Sequence, residues 1–523
     1  MYVLSLKVQN ELVFFNHPLM EILFFVTFVE TTTALNRPMK VYTMKLKWLL
    51  CGGLMFLLTA CGKQKEAQGN IDSYPPIFPD YTFTAIPYNI APLNFKINDT
   101  QSIRADFCSG GATLLSVSGD HEIEIPQDQW RKLLEQQKGK ELEVRVSVWN
   151  ESHPEGIRYK SFNVYIAPDP IDEWIAYRLI EPGYEGWKQM GIYQRNLTSF
   201  EEKEIATNHE DTKTCVNCHS FAGYSPKRML FHVRGANGGT ALWMDGNLSK
   251  LELDKIGPKK SGTYPMWHPQ GRYIVFSSNL TRQSFLSEGQ KPLEVYDLES
   301  DLILYDTQTK QVLTDPRFMG DTAWETFPAW APDGKSLYYC VARPVTMPVE
   351  YDQLHYSLCK VDFDEATEKF GERVDTIYHA DQKGGSVSFP RISPDGNYLL
   401  YTLSANATFP IWHKEADLKL FDLRNGQEID ASILNSDESE SYHSWSSNGR
   451  WILFSSRRLD GRYTRLFMAW MDGKGQVHKP FLLPQQNPEH NILRMKSYNI
   501  PEFIKEEVVL PEAAFKDLFF QVK

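Results

Sequence analysis

"TYPMWHPQGRYIVFSSN", residues 263–279, decides how the chain is read. A short run ends in an aromatic residue and proline, a glycine-containing turn follows, and a strand rich in aromatic and β-branched residues comes after it. The pattern returns as "TFPAWAPDGKSLYYCVA" (326–342), "SFPRISPDGNYLLYTLS" (388–404) and "SYHSWSSNGRWILFSSR" (441–457). Strand pairs such as "DLILYDTQTKQVLTD" (301–315) and "DLKLFDLRNGQEID" (417–430) lie between the copies. Each unit therefore supplies two strands joined by an Asp-Gly-type turn and then two more, which makes one four-stranded antiparallel blade. A blade cannot bury both faces alone, so several must stack around an axis.

Four copies do not close a ring. "RMLFHVRG" (228–235), "TALWMDG" (240–246) and "SKLELD" (249–254) supply a further blade. "EWIAYRLIEPGYEGWKQMGIYQRNL" (173–197) gives another strand pair, which "KSYNIPEF" and "KEEVVL" near the C-terminus are expected to join. The count is six blades, with five as the alternative.

Over roughly residues 225–485 these repeats resemble the TolB-type β-propeller family, whose units carry the same aromatic-Pro-x-Trp-x-Pro-Asp-Gly pattern. The resemblance is strongest in the first two copies and weakens in the fourth, where Ser447-Asn448-Gly449 replaces Pro-Asp-Gly. It implies an all-β fold with six blades over residues 169–523.

Upstream, residues 76–168 read as short strands broken by Asn, Asp, Gly and Pro, with one helix after Pro126. The expectation is a small β-sandwich, immunoglobulin-like, serving as a spacer or interaction domain. Residues 61–75 read as a polar tether. "MKLKWLLCGGLMFLLTAC" (44–61) has a basic head, a short apolar core and small residues before a cysteine, which is the layout of a secretory signal. Its Leu58-Thr59-Ala60-Cys61 closely resembles the lipobox of bacterial lipoproteins. That resemblance implies cleavage before Cys61 and lipidation of its thiol, with the protein exported and held in the outer membrane facing the periplasm. Residues 1–43 precede a complete signal and are expected to be a non-native extension.

The 523 residues are 42% hydrophobic, 23% charged and 13% aromatic, with a formal net charge of −11. No basic stripe is present, which argues against nucleic acid as a partner.

Beyond Cys61 the cysteines are Cys108, Cys215, Cys218, Cys340 and Cys359, an odd number in a compartment where disulfides survive. A disulfide between Cys340 and Cys359 is allowed but unforced. "TCVNCHSF" (214–221) holds two of the cysteines and a histidine as Cys-x-x-Cys-His. Random placement yields roughly 0.002 copies of that motif in this composition. Zinc would want a second close pair of ligands, and none follows.

The motif resembles the haem attachment site of c-type cytochromes. The resemblance implies thioethers from Cys215 and Cys218 to one haem c and His219 as the proximal iron ligand. His232 and Met229, on opposite faces of the next strand, are candidates for the sixth position. Met266 and His268 stay open because a propeller brings distant blades together. The motif is expected in a loop, 214–220, against the propeller or the sandwich, preceded by a short helix capped at Ser199.

Two functions follow. One is a lipid-anchored periplasmic protein with one covalent haem, in electron transfer to a redox protein or in redox sensing. The other is a haem-free scaffold that binds a protein or glycan on the propeller face, with Cys215 and Cys218 as a disulfide. No Gly-x-Ser-x-Gly elbow, His-Glu-x-x-His or convincing carboxylate pair marks the chain as an enzyme.

Overall fold

The computed structural model describes residues 66–181, 189–209, 213–259, 262–286 and 291–520, and two short strands upstream. Those strands, Leu6–Val8 and Glu11–Val13, pair antiparallel within a unit that covers Met1–Lys65. The signal, Cys61 and the rest of residues 1–65 lie outside the described residues. Among the described residues no helix is long and apolar enough to cross a membrane. Residues 66–523 form one compact unit, which is all-β in character.

Six four-stranded antiparallel sheets make up most of it. Sheet B runs Cys215–Phe221, Arg228–Arg234, Gly239–Met244 and Asn247–Leu251. Sheets C, D, E and F begin with Thr263–Trp267, Trp324–Trp330, Ser386–Ile392 and Glu440–Trp445, and each continues through the next three strands in sequence. Sheet A is assembled from distant segments. Glu202–Thr207, Gly191–Asn196 and Trp174–Ile180 form three strands, and Ser497–Ile504 pairs antiparallel with Trp174–Ile180 as the fourth. The first strands of B to F and Ser497–Ile504 of A touch in a closed circle, each meeting the next and A meeting B. Apolar side chains fill the spaces between neighbouring sheets, as Tyr273, Trp330 and Phe363 do between C and D. The arrangement is propeller-like.

Several expectations change. The helix expected from Ser199 is the strand Glu202–Thr207. The capping signal is local, and the ladder with Gly191–Asn196 overrides it. "KEEVVL" (505–510) forms no strand; Gln194 exchanges two hydrogen bonds with the Val508 backbone, at 2.9 and 2.7 Å, and pins the segment. A helix, Glu512–Phe519, follows and buries Phe515 and Phe519 against sheets A and B. In the stretch 436–441, made of carboxylates and serines, Glu440 is fully buried, 3.0 Å from Arg458.

Residues 76–168 supply six strands of a seven-stranded sheet, a two-stranded ladder of Phe95–Lys96 with Glu122–Ile123, and the helix Gln127–Gln137. The tether is shorter than expected, because Gly69–Asn70 pairs with Ile157–Arg158 and Glu66 bridges Arg104 and Arg158. This region shares one apolar core with sheets A and F. Polar contacts fix the seam: Trp470 and Trp451 both donate to Asp169, and Ser447 donates twice to Asp172.

Candidate functional site

The six inner strands share one backbone device. Cys218, Tyr264, Phe327, Phe389, Tyr442 and Ile500 all have φ between 43° and 53°, the left-handed region that non-glycine residues rarely adopt. At each of them the register with the neighbouring strand slips. Such a bulge leaves residues out of the ladder and re-aims their side chains. Here the left-handed residues line the propeller axis together with the residue that follows each of them. In four strands that following residue is proline, which has no N–H to leave unpaired. In the other two it is His219 and His443.

The Cys-x-x-Cys-His motif is therefore not a loop. Cys215–Phe221 is the inner strand of sheet B, with Cys218 and His219 in the places of the aromatic and the proline of the other strands. The signal was present in the sequence, since "NCHSF" aligns with "TYPMW" and "SYHSW".

The aromatic residues close part of the axis. Ring centroids lie 4.5 Å apart for Tyr264 and Phe327, 4.4 Å for Phe327 and Phe389, and 4.6 Å for Phe389 and Tyr442. Cys218 and Ile500, which carry no ring, take the remaining two positions. On one side of this layer is a funnel of about 930 Å³ including its open mouth, lined by both Cys215 and Cys218. On the other is a space of about 530 Å³ lined by His219, His443, Arg391 and the four prolines. Cys218, Tyr264, Tyr442 and Ile500 line both.

Both thiols are free, and the Asn217 amide donates to Cys215 Sγ at 3.1 Å. Burial pushes the Cys218 thiol up, with Arg234 and Arg178 opposing, so it stays protonated. Neither ring nitrogen of His219 makes a well-formed hydrogen bond, although the backbone at Ala176 and Ile500 lies close enough to interact weakly with the ring. Burial, helped by the Arg178 charge, lowers its pKa to about 3, while nearby backbone at Ala176 and Ile500 opposes the shift. His443 falls to about 3 through burial and the Arg391 charge. Its Nε2 bonds the Leu400 carbonyl at 3.0 Å, and its Nδ1 has no partner. Both imidazoles are therefore neutral at physiological pH.

The donor set of the implied haem is split by the aromatic layer, with Cys215 on the funnel side, His219 on the other and Cys218 lining both. Two free thiols and an imidazole without well-formed hydrogen bonds face adjoining spaces, and Arg178, Arg234 and Arg457 stand around the funnel. The candidates for a sixth ligand are not brought to these spaces. Met229 packs in the core with Val216, Phe231 and Phe515, and His232 Nδ1 lies 3.4 Å from Thr240 Oγ1. Met266 and His268 face elsewhere, the latter 3.0 Å from the Gly334 carbonyl. Cys340 and Cys359 are both free, on adjacent strands but in different cores on opposite faces of sheet D. Among the described residues no group of three or more His, Cys, Asp or Glu is placed to hold a metal ion. Sequence reasoning missed His443, Arg391 and the arginines of the funnel.

No family model matches the chain. No curated protein matches it either. Among solved structures, TolB from Acinetobacter baumannii aligns with 72% of this chain and 85% of its own, at 13% identity and TM-score 0.39. An oligogalacturonate lyase in complex with manganese covers 59% and 73%, at 10% identity and TM-score 0.31. Prolyl oligopeptidase B from Galerina marginata covers 72% and 44%, at 11% identity and TM-score 0.33. At these identities and scores the likenesses carry no conclusion about activity.

Proposed function

We propose that the chain is an exported, lipid-anchored propeller of six blades, sheets A to F, that carries one covalent haem c on the strand Cys215–Phe221. Five blades is the alternative count. Cys215 and Cys218 would hold the macrocycle through thioethers, and His219 would supply the iron ligand only if the aromatic layer between its space and the funnel opened; when bound, the group supplies a redox-active centre. One observation carries the reading: His219 is 2% exposed, and its ring nitrogens make no well-formed hydrogen bond, only weak approaches to the backbone at Ala176 and Ile500. A buried imidazole in that state costs stability unless it meets a ligand. The chain's own residues would exclude water with the Tyr264–Tyr442 aromatic layer and offer the guanidiniums to the haem carboxylates. The role is electron transfer or redox sensing rather than substrate turnover.

Expression in a cell competent for c-type attachment tests this. A coloured protein with a sharp reduced α-band, haem retained on a denaturing gel, and loss of retention in Cys215→Ala/Cys218→Ala are expected. A colourless protein made under those conditions overturns it.

A second reading has its own support. Cys218 and His219 stand where the repeat has an aromatic and proline, so the bulge is explained without a cofactor. The funnel would then bind a protein or glycan partner. The thiols would form a disulfide on export, detected as a mass two hydrogens lower.

A further inference from the structure

We infer that the funnel is a binding site for an organic anion, a carboxylate or phosphate ester on an apolar or ring-shaped body. Three guanidiniums line it, from Arg178 in sheet A, Arg234 in sheet B and Arg457 after the second strand of sheet F. Among the described residues no carboxylate lies within ion-pair distance of any of them. The one carboxylate in the lining, Glu181, faces Lys496 at 3.8 Å. A concave site lined by unpaired charge of one sign concentrates the opposite sign.

Two of the cations are also held in place. Arg457 is 3% exposed, donates to the backbone carbonyls of Ile411 and Arg462, and stacks 3.2 Å from the Trp412 ring centroid. Burial drops its pKa to about 9, with Asp460 and Glu438 opposing only in part, so the charge lacks full compensation. Arg178 keeps its Nε buried and without a partner. The Asn499 amide, turned to suit its neighbours, accepts from the other end of that guanidinium at 3.2 Å. A guanidinium anchored at Nη2, with its buried Nε unsatisfied, is a fixed planar donor of the kind that carboxylates and phosphates select. Apolar walls from Trp412, Tyr264, Tyr442 and Leu293 complete a pocket with few, convergent polar groups.

The inference does not depend on a haem, and the test keeps the two apart. The full chain is prepared with and without c-type attachment, its colour is recorded, and the preparation without attachment is titrated calorimetrically. The probes are benzoate, phenyl phosphate and benzamide, the last a neutral molecule of similar shape. At about 0.02 M salt at least one anion is expected to bind about tenfold or more tighter than benzamide, and the gap should shrink at about 0.5 M salt. The stronger anion says whether the site prefers carboxylate or phosphate. Arg178→Gln should bring its affinity to the benzamide level, Arg178→Lys should keep part of it, and Arg228→Gln, outside the funnel, should change nothing. Equal binding of anions and benzamide, no binding of either anion at about 10 mM, or full affinity in a folded Arg178→Gln protein overturns the proposal. A colourless chain that binds the anions sustains this site and overturns the haem reading; a haem-bearing chain whose haem-free form ignores them does the reverse.

Discussion

His219 and His443 occupy one and the same position in two inner strands that both touch the closing strand Ser497–Ile504. Each follows a left-handed residue, and each keeps a ring nitrogen without a well-formed hydrogen bond. The position is proline in the other four strands, so the pair departs from a backbone rule that the rest of the circle obeys.

This departure predicts a swap. His443→Pro restores the repeat and narrows the unfolded ensemble, a gain of about 0.4–1 kcal/mol. It loses one hydrogen bond to Leu400, worth about 1 kcal/mol. The expected net change is within about 1 kcal/mol of zero. A loss several times larger, measured by denaturant unfolding, would give His443 a structural role that this geometry does not contain.

The buried histidines also set a pH dependence. His219, His232 and His443 have folded pKa values lowered to about 3, by burial first in each case. Between pH 3 and about 6.5 the unfolded chain binds more protons than the folded one, so stability falls as the pH is lowered through that window. Each contributes a slope approaching about 1.4 kcal/mol per pH unit below 6.5. His413 has the opposite sign. Fully buried between Glu294 and Glu415, at 3.1 Å each, with Tyr351 at 3.0 Å, it has a raised pKa. Its contribution is complete below about 6.5 and disappears as the pH rises through its folded value. Urea midpoints at pH 5 and 7 should show a shallower acid slope in His219→Pro/His443→Pro than in wild type.

Glu440, fully buried, pairs with the half-buried Arg458, and Ser436 and Ser456 also donate to the carboxylate. Glu440→Ala strands the guanidinium and should cost about 3–5 kcal/mol. Glu440→Gln keeps part of the network and should cost less. Equal melting temperatures for Glu440→Ala and wild type would contradict the pairing.

Asp172 fastens the N-terminal region to sheet F through two bonds from Ser447, at 2.7 and 2.6 Å. Asp172→Ala should cost about 1–3 kcal/mol. It should also speed proteolysis after residue 168 relative to cleavage within the six sheets. Unchanged cleavage would show that the shared apolar core alone holds the seam.

Removing residues 497–523 deletes the inner strand of sheet A and exposes the edge of Trp174–Ile180, together with the apolar surface covered by Phe515 and Phe519. No cooperative melt is expected from the shortened chain. A transition at the wild-type temperature would mean that the circle closes without this strand.

Much of the architecture was legible because each copy repeats an aromatic, a turn and a strand at the same relative places. Sheet B shows where legibility stopped. Its last three strands read plainly, but its first strand carries Cys218 and His219 where the repeat has an aromatic and proline. The chemistry of those residues drew attention away from their periodicity. Ser199 and Glu202 misled for a different reason, since a valid local capping signal lost to a ladder formed with a strand already in place. The arginines of the funnel were invisible because they come from three separate sheets and converge only when the circle closes.

Sheet A has a consequence for the order of events. Its inner strand is made only after all five other sheets, so a ribosome or a membrane translocon delivers it last. Until Ser497–Ile504 arrives, Trp174–Ile180 has an open edge and the circle lacks its final segment. Such a latch withholds completion of the circle until the other five sheets have all been delivered.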